Sequence, residues 1–110
     1  MKDLNLTEEM VLLAVWKLKE NAYGVTIRRQ LSDSTKRIFP YGTLYSALDK
    51  LTRHGYVTRS ESDPEPVRGG RSKKFYSITP RGVEALRGAL QLRQSMWDGE
   101  TEAIFSGGDG

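Results

Sequence analysis

Two groups of residues between Pro40 and Lys74 have the chemistry to bind a polyanion. The first is Tyr41-Gly42-Thr43-Leu44-Tyr45-Ser46, continuing through Lys50 to Arg53. It combines hydroxyl and phenol donors with two long cations, the set that meets phosphate oxygens and base edges. The second is Arg68-Gly69-Gly70-Arg71-Ser72-Lys73-Lys74, four cations around a glycine pair. Catalytic chemistry has little to work with. His54 is the only histidine and there is no cysteine nucleophile. No P-loop occurs, and no His/Asp/Glu cluster has metal-ligand spacing. The residues therefore point away from an enzyme, a metal and a cofactor.

The first group needs a helix to present it. Leu44, Ala47, Leu48 and Leu51 fall at i, i+3, i+4 and i+7, a single inward stripe. Ser46, Asp49, Lys50 and Arg53 then project from the other side, with Tyr45 on the flank. No acidic residue stands in Tyr41-Gly42-Thr43, so the first N–H groups are able to face a phosphate, and Gly42 allows close backbone approach. Gly55 closes the helix where a left-handed residue is wanted. Taken alone, this is equally an amphipathic helix with a solvated face.

The second group needs a hairpin. Tyr56–Glu61 and Lys73–Ile78 alternate like strands, and Ser62–Ser72 between them carries two prolines and Gly69-Gly70. Cations on such a loop reach phosphates or a minor groove. A charge cluster that merely protects a sheet edge is the alternative, and the two features together favour nucleic acid.

Upstream, Thr7 is expected to cap a helix running to Glu20. Its Met10–Trp16 run is apolar on nearly every face and so must be buried on more than one side. After Tyr23-Gly24 a shorter helix follows, with Val25, Ile27 and Leu31 inward and Arg28 and Arg29 outward, and Ser32–Phe39 is a polar connection. Thr79 caps, and Pro80 opens, a last helix to about Trp97. The order specifies a mainly helical α+β fold, a winged helix-turn-helix over residues 1–81. A dimerisation helix follows over 82–97 and a disordered tail over 98–110.

Charge distribution supports one nucleic-acid-facing surface. The chain has 110 residues and a formal charge of +3. Residues 23–81 carry twelve Lys or Arg against five Asp or Glu, a net of +7, between ends that are both net negative. No apolar run is long enough to span a membrane, no signal segment opens the chain, and cysteine is absent, so a cytoplasmic protein is expected.

The last helix carries two apolar stripes. One is Val83, Leu86, Leu90 and Trp97; the other is Ala85, Ala89, Leu92 and Met96. Together they exceed the stripe of roughly 100° that a helix needs against its own core. One stripe can serve the domain and the other a second copy, so Leu86, Ala89, Leu90, Leu92, Met96 and Trp97 are the expected dimer contacts. Met96 and Trp97 near its end would suit a flat aromatic effector shared between two copies. Packing of Trp97 on the first helix near Trp16 is the plainer alternative.

Tyr23-Gly24, Gly42-Thr43-Leu44-Tyr45, Leu48, Leu51, His54-Gly55-Tyr56-Val57 and Gly70-Arg71-Ser72-Lys73-Lys74-Phe75-Tyr76-Ser77-Ile78-Thr79-Pro80-Arg81-Gly82 resemble the PadR family of bacterial regulators over residues 5–97. The resemblance implies dimeric repressors on inverted-repeat operators, often responsive to a small ligand. By position it implies DNA contacts from Tyr41, Thr43, Tyr45 and Lys50, beside Arg68, Arg71 and Lys73 of the wing. Gly42, Ser46, Arg53, Gly70 and Lys74 complete the expected interface. Ser46 stands where the family commonly has proline, and Ser62–Val67 makes a longer, more acidic wing. A winged helix that binds protein instead of DNA is the competing class.

Overall fold

In a computed structural model of the chain, residues 3–61 and 73–107 are described. Helix α1 spans Leu6–Leu18, α2 Gly24–Thr35 and α3 Tyr41–Arg53; strands β1 (Val57–Glu61) and β2 (Lys74–Ile78) follow, then α4 (Pro80–Trp97) and α5 (Thr101–Phe105). The architecture is mainly helical with one two-stranded antiparallel sheet, the winged-helix plan expected from the sequence.

The cap of α1 is Asn5 rather than Thr7. Its side chain accepts from the Glu8 N–H at 2.8 Å while Glu8 accepts from the Asn5 N–H at 3.0 Å. Such a reciprocal box needs an acid or amide three residues on. Asn5 has Glu8 there, whereas Thr7 has Met10. The far end is also earlier than expected: α1 stops at Leu18 and Lys19–Asn21 tighten into a 3-10 turn.

Helix α2 continues through Ser32–Thr35, residues whose polarity suggests a connection. They lie past the last inward position, so they add a solvated turn to the helix without extending its stripe. Lys36 then takes the left-handed conformation, and Phe39 drops into the core at 8% exposure. Val25, expected inward, is 45% exposed.

The core gathers Val11, Leu12, Val15, Ile27, Leu31, Leu44, Leu48, Leu51, Tyr56, Val57 and Tyr76. All four stripe residues of α3 are buried in it. Strand pairing runs from Val57 opposite Ile78 to Glu61 opposite Lys74. A bridge between Tyr23 and Phe75, with the Tyr76 N–H donating to the Ala22 carbonyl at 2.8 Å, ties the start of α2 to the wing.

Thr79 does two things at the wing-to-α4 junction. Its hydroxyl oxygen accepts from the Gly82 N–H at 3.0 Å, capping α4, and its hydroxyl donates to the Gly55 carbonyl at 2.6 Å. Further along, Arg93 forms an ion pair with Glu9, itself only 8% exposed, and pins α4 to α1.

The apolar run of α1 is not fully enclosed by the described residues. Leu13 and Trp16 remain 39% and 43% exposed, facing a groove of about 320 Å³ shared with Val83, Leu86 and Leu90 of α4. Beyond Ala89, every residue of α4 is exposed. Within the stretch expected to be disordered, residues Thr101–Phe105 form a helix. Helix α5 folds back so that Phe105 stacks on Trp97, centroids 6.1 Å apart and planes 20° from parallel.

Candidate nucleic-acid interface

Burial of Leu44, Ala47, Leu48 and Leu51 leaves the opposite face of α3 to solvent. Tyr41, Gly42, Thr43, Tyr45, Ser46, Lys50 and Arg53 are all exposed on it. Seven of the expected residues therefore share one element and one accessible surface. Pro40 is the N-cap and supplies no side-chain hydrogen bond, so the first N–H groups of α3 have no side-chain cap.

The two tyrosines are not independent. Tyr41 and Tyr45 stack at 6.1 Å, planes 20° apart. The Tyr45 hydroxyl lies against Gly24 at the start of α2, where any side chain would overlap it. Gly24 thus lies where the exposed face of α3 approaches α2 too closely for a side chain.

On the wing, Lys73 and Lys74 are exposed, as expected. The Lys73 ammonium sits 4.6 Å from the centroid of the Tyr23 ring, and Lys74 shares a recess with Tyr23, Gly24, Val25 and Tyr45. The cations of the described part of the wing therefore border the flank of α3 marked by Tyr45. Arg68, Gly70 and Arg71 lie outside the described residues.

Tyr76 lies beneath this junction. Burial pushes its phenol above the ordinary value of 10.0, partly offset by a hydrogen bond and the positive charge of Arg59, while Tyr45 and Asp49 add to the rise. Arg59 is exposed on β1 and, like Tyr45 and Asp49 of α3, acts on the Tyr76 phenol. Sequence alone does not single it out, because one arginine in an alternating strand looks like an ordinary solvated residue. Arg28 escapes sequence reasoning too. Its Nε–H donates to the Phe39 carbonyl at 2.6 Å and its guanidinium lies 4.5 Å from the Tyr41 ring centroid. Nothing local in the sequence signals that pairing, which spans the α2–α3 turn.

Among the described residues no group of three or more His, Cys, Asp or Glu side chains is placed to hold a metal ion. Nor is any helix there long and apolar enough to cross a membrane.

An exposed helix face over a buried stripe, followed by a basic two-stranded wing, defines a winged-helix regulator. The profile of the PadR-like family of transcriptional regulators matches residues 12–88, and the chain belongs to that family. Its members are transcriptional regulators. Solved structures agree on the fold. A Streptococcus transcriptional regulator is 26% identical with a TM-score of 0.67, over 88% of this chain and 89% of that one. RosR of H. salinarum is 23% identical with a TM-score of 0.65, over 96% and 93%. A PadR family transcription regulator from Clostridium difficile is 20% identical with a TM-score of 0.66, over 93% and 97%. No curated protein matches.

Proposed function

We propose that the chain is a cytoplasmic, homodimeric repressor that binds an inverted-repeat operator in duplex DNA and responds to a small ligand. The observation that carries the DNA-binding part is the exposed face of α3, where Tyr41, Thr43, Ser46, Lys50 and Arg53 stand clear of a fully buried stripe. In this reading α3 enters the major groove, with Gly42 allowing its first turn close to a phosphate. Lys50 and Arg53 reach base edges or phosphates, while Lys73, Lys74, Gly70, Arg68 and Arg71 of the wing follow the adjoining backbone.

Dimerisation through α4 is supported by the apolar surface the single chain leaves uncovered. Leu90, Leu92, Met96 and Trp97 are 47%, 57%, 76% and 42% exposed, and Leu86 and Ala89 lead into them. Leu13 and Trp16 of α1 extend that surface. Exposed apolar area on this scale marks an interaction site more often than a monomer surface. A flat aromatic effector would bind at Met96 and Trp97 where two copies meet. In the single chain Trp97 stacks on Phe105 rather than near Trp16, so an effector would join or displace that stack.

Selection of bound fragments from random duplex DNA by the purified protein tests the proposal. Enriched sites should be inverted repeats with half-sites about 34 Å apart, one helical turn. Enrichment of no sequence, with binding to a protein partner instead, would favour the interaction-module class.

A further inference from the structure

Arg28 projects from α2 and is partly buried, although in sequence it looks like a solvated helix cation. Three contacts fix it in place. Its Nε–H is bound to the Phe39 carbonyl at 2.6 Å. Its guanidinium covers the Tyr41 ring, and Tyr41 stacks on Tyr45. Tyr45 then returns to Gly24, on the same helix as Arg28. The side chains close a circuit from α2 to the first turn of α3 and back.

That circuit leaves the hydrogen-bonding end of the arginine unspent. Guanidinium has five N–H donors in a planar fork, and among the described residues only Nε–H has an acceptor. Among the described residues Arg28 forms no ion pair with any carboxylate, whereas Arg87 and Arg93 each do. The charge is thus held rigidly, partly exposed and uncompensated, beside the exposed Tyr41 at the start of α3. Holding a long side chain in one rotamer costs entropy, so a cation fixed before its ligand arrives binds that ligand at lower cost.

We infer that Arg28 binds a DNA phosphate beside the first turn of α3, with the Phe39 carbonyl and the Tyr41 ring orienting its fork. This rests on the DNA-binding reading above. Phosphate fits better than a base edge for two reasons. Two parallel N–H bonds from the fork match the spacing of phosphate oxygens. The tie to Phe39 also anchors the group to the turn, not to the outer face of α3 that reads bases. Lysine would supply the charge but neither the flat face over Tyr41 nor the Nε–H to Phe39.

The test uses the full chain and a fluorescein-labelled duplex of about 20 base pairs of mixed sequence, titrated between roughly 20 and 150 mM salt. Each phosphate neutralised contributes about 0.9 to the slope of log K against log salt. Arg28→Gln should reduce the slope by about 0.9 for each protomer in contact and weaken low-salt binding about tenfold. Arg28→Lys should keep the wild-type slope and weaken binding only about threefold, because the charge remains while its orientation is lost. Both variants should unfold within a few degrees of the wild type. If Arg28→Gln instead failed to fold, Arg28→Met, which also removes the charge, would decide in its place: a slope reduced by about 0.9 per protomer supports the contact and an unchanged slope overturns it. Weaker binding by Arg28→Gln with an unchanged slope would make Arg28 purely structural and overturn the inference. A wild type that bound no duplex at the lowest salt would be a different failure, removing the DNA-binding reading itself.

Discussion

The hydroxyl of Tyr45 rests on Gly24, twenty-one positions earlier in the chain, where a Cβ would overlap the oxygen and stand 3.1 Å from the ring carbon that bears it. Only the tip of the tyrosine obstructs a side chain there, and that tip is free to swing away. Gly24→Ala should therefore cost about 1 kcal/mol or less in stability. DNA affinity should fall by a larger factor, because Tyr45 and the stacked Tyr41 move with it. Thermal unfolding and duplex binding, measured on the same preparation, check this. Tyr45→Phe should weaken specific and nonspecific duplexes alike if its hydroxyl meets a phosphate.

Gly82 presents the opposite case. A Cβ at this position would overlap the carbonyl oxygen of Tyr56 and come within 2.8 Å of Ile78. Backbone cannot swing aside, so Gly82→Ala should cost about 3 kcal/mol, a large share of the stability of a small domain. Gly88 lies on the same helix, and a Cβ there would meet nothing within 4 Å. Gly88→Ala should gain about 0.5–1 kcal/mol from helix propensity. Urea unfolding of the two variants at equal protein concentration should give shifts of opposite sign.

Elements that state their burial locally were legible in the sequence. For α3, the stripe from Leu44 to Leu51 and the glycine at 55 gave both ends, and Thr79-Pro80 gave the start of α4. Asn5 and Thr7 are both good caps by residue type, and only the partner three residues on distinguishes them. An apolar run such as Met10–Trp16 shows that a helix is covered but not by what, so the exposure of Leu13 and Trp16 could not be read. Helix α5 was hidden because its glycine-rich, acidic surroundings dominate the local pattern, while Trp97 and Phe105, which hold it, lie eight residues apart. Arg28 and Arg59 are hidden for a related reason. Each finds its partners across a turn or between elements, where periodicity carries no signal.

Alkaline pH offers a test of the packing beneath the wing. The Tyr76 phenol is held above 10.0 chiefly by burial. In the unfolded chain it would ionise near 10.0, while in the folded chain it stays protonated to higher pH. Its contribution to stability is therefore complete below about pH 10 and lost as pH rises through the folded value. Denaturation measured from about pH 8 to 11 should show a decline that is smaller in Tyr76→Phe. An ultraviolet titration should find tyrosine ionisation above pH 10 that is lost in Tyr76→Phe.

Dimerisation predicts a sharp response to charge on the bare half of α4. Leu90 and Leu92 are already exposed in the single chain, so Leu90→Glu with Leu92→Glu should leave the fold of one copy intact. Sedimentation should show a monomer where the wild type is a dimer, and operator binding should be largely lost. A wild type that remained monomeric at micromolar concentration while binding its operator tightly would count against the proposed assembly.

The salt dependence of binding to duplex DNA tests the central claim most directly, because it reads phosphate contacts without knowledge of the operator. If α3 and the wing together neutralise about six phosphates, log K should fall with log salt at a slope near −5. Lys50→Ala should alter preference among sequences if Lys50 reads guanine, a contact worth about 1–3 kcal/mol of discrimination. Lys73→Ala should instead weaken every duplex and flatten the slope. Binding that is indifferent to salt, or absent even at the lowest ionic strength, would contradict a DNA-facing role for this surface.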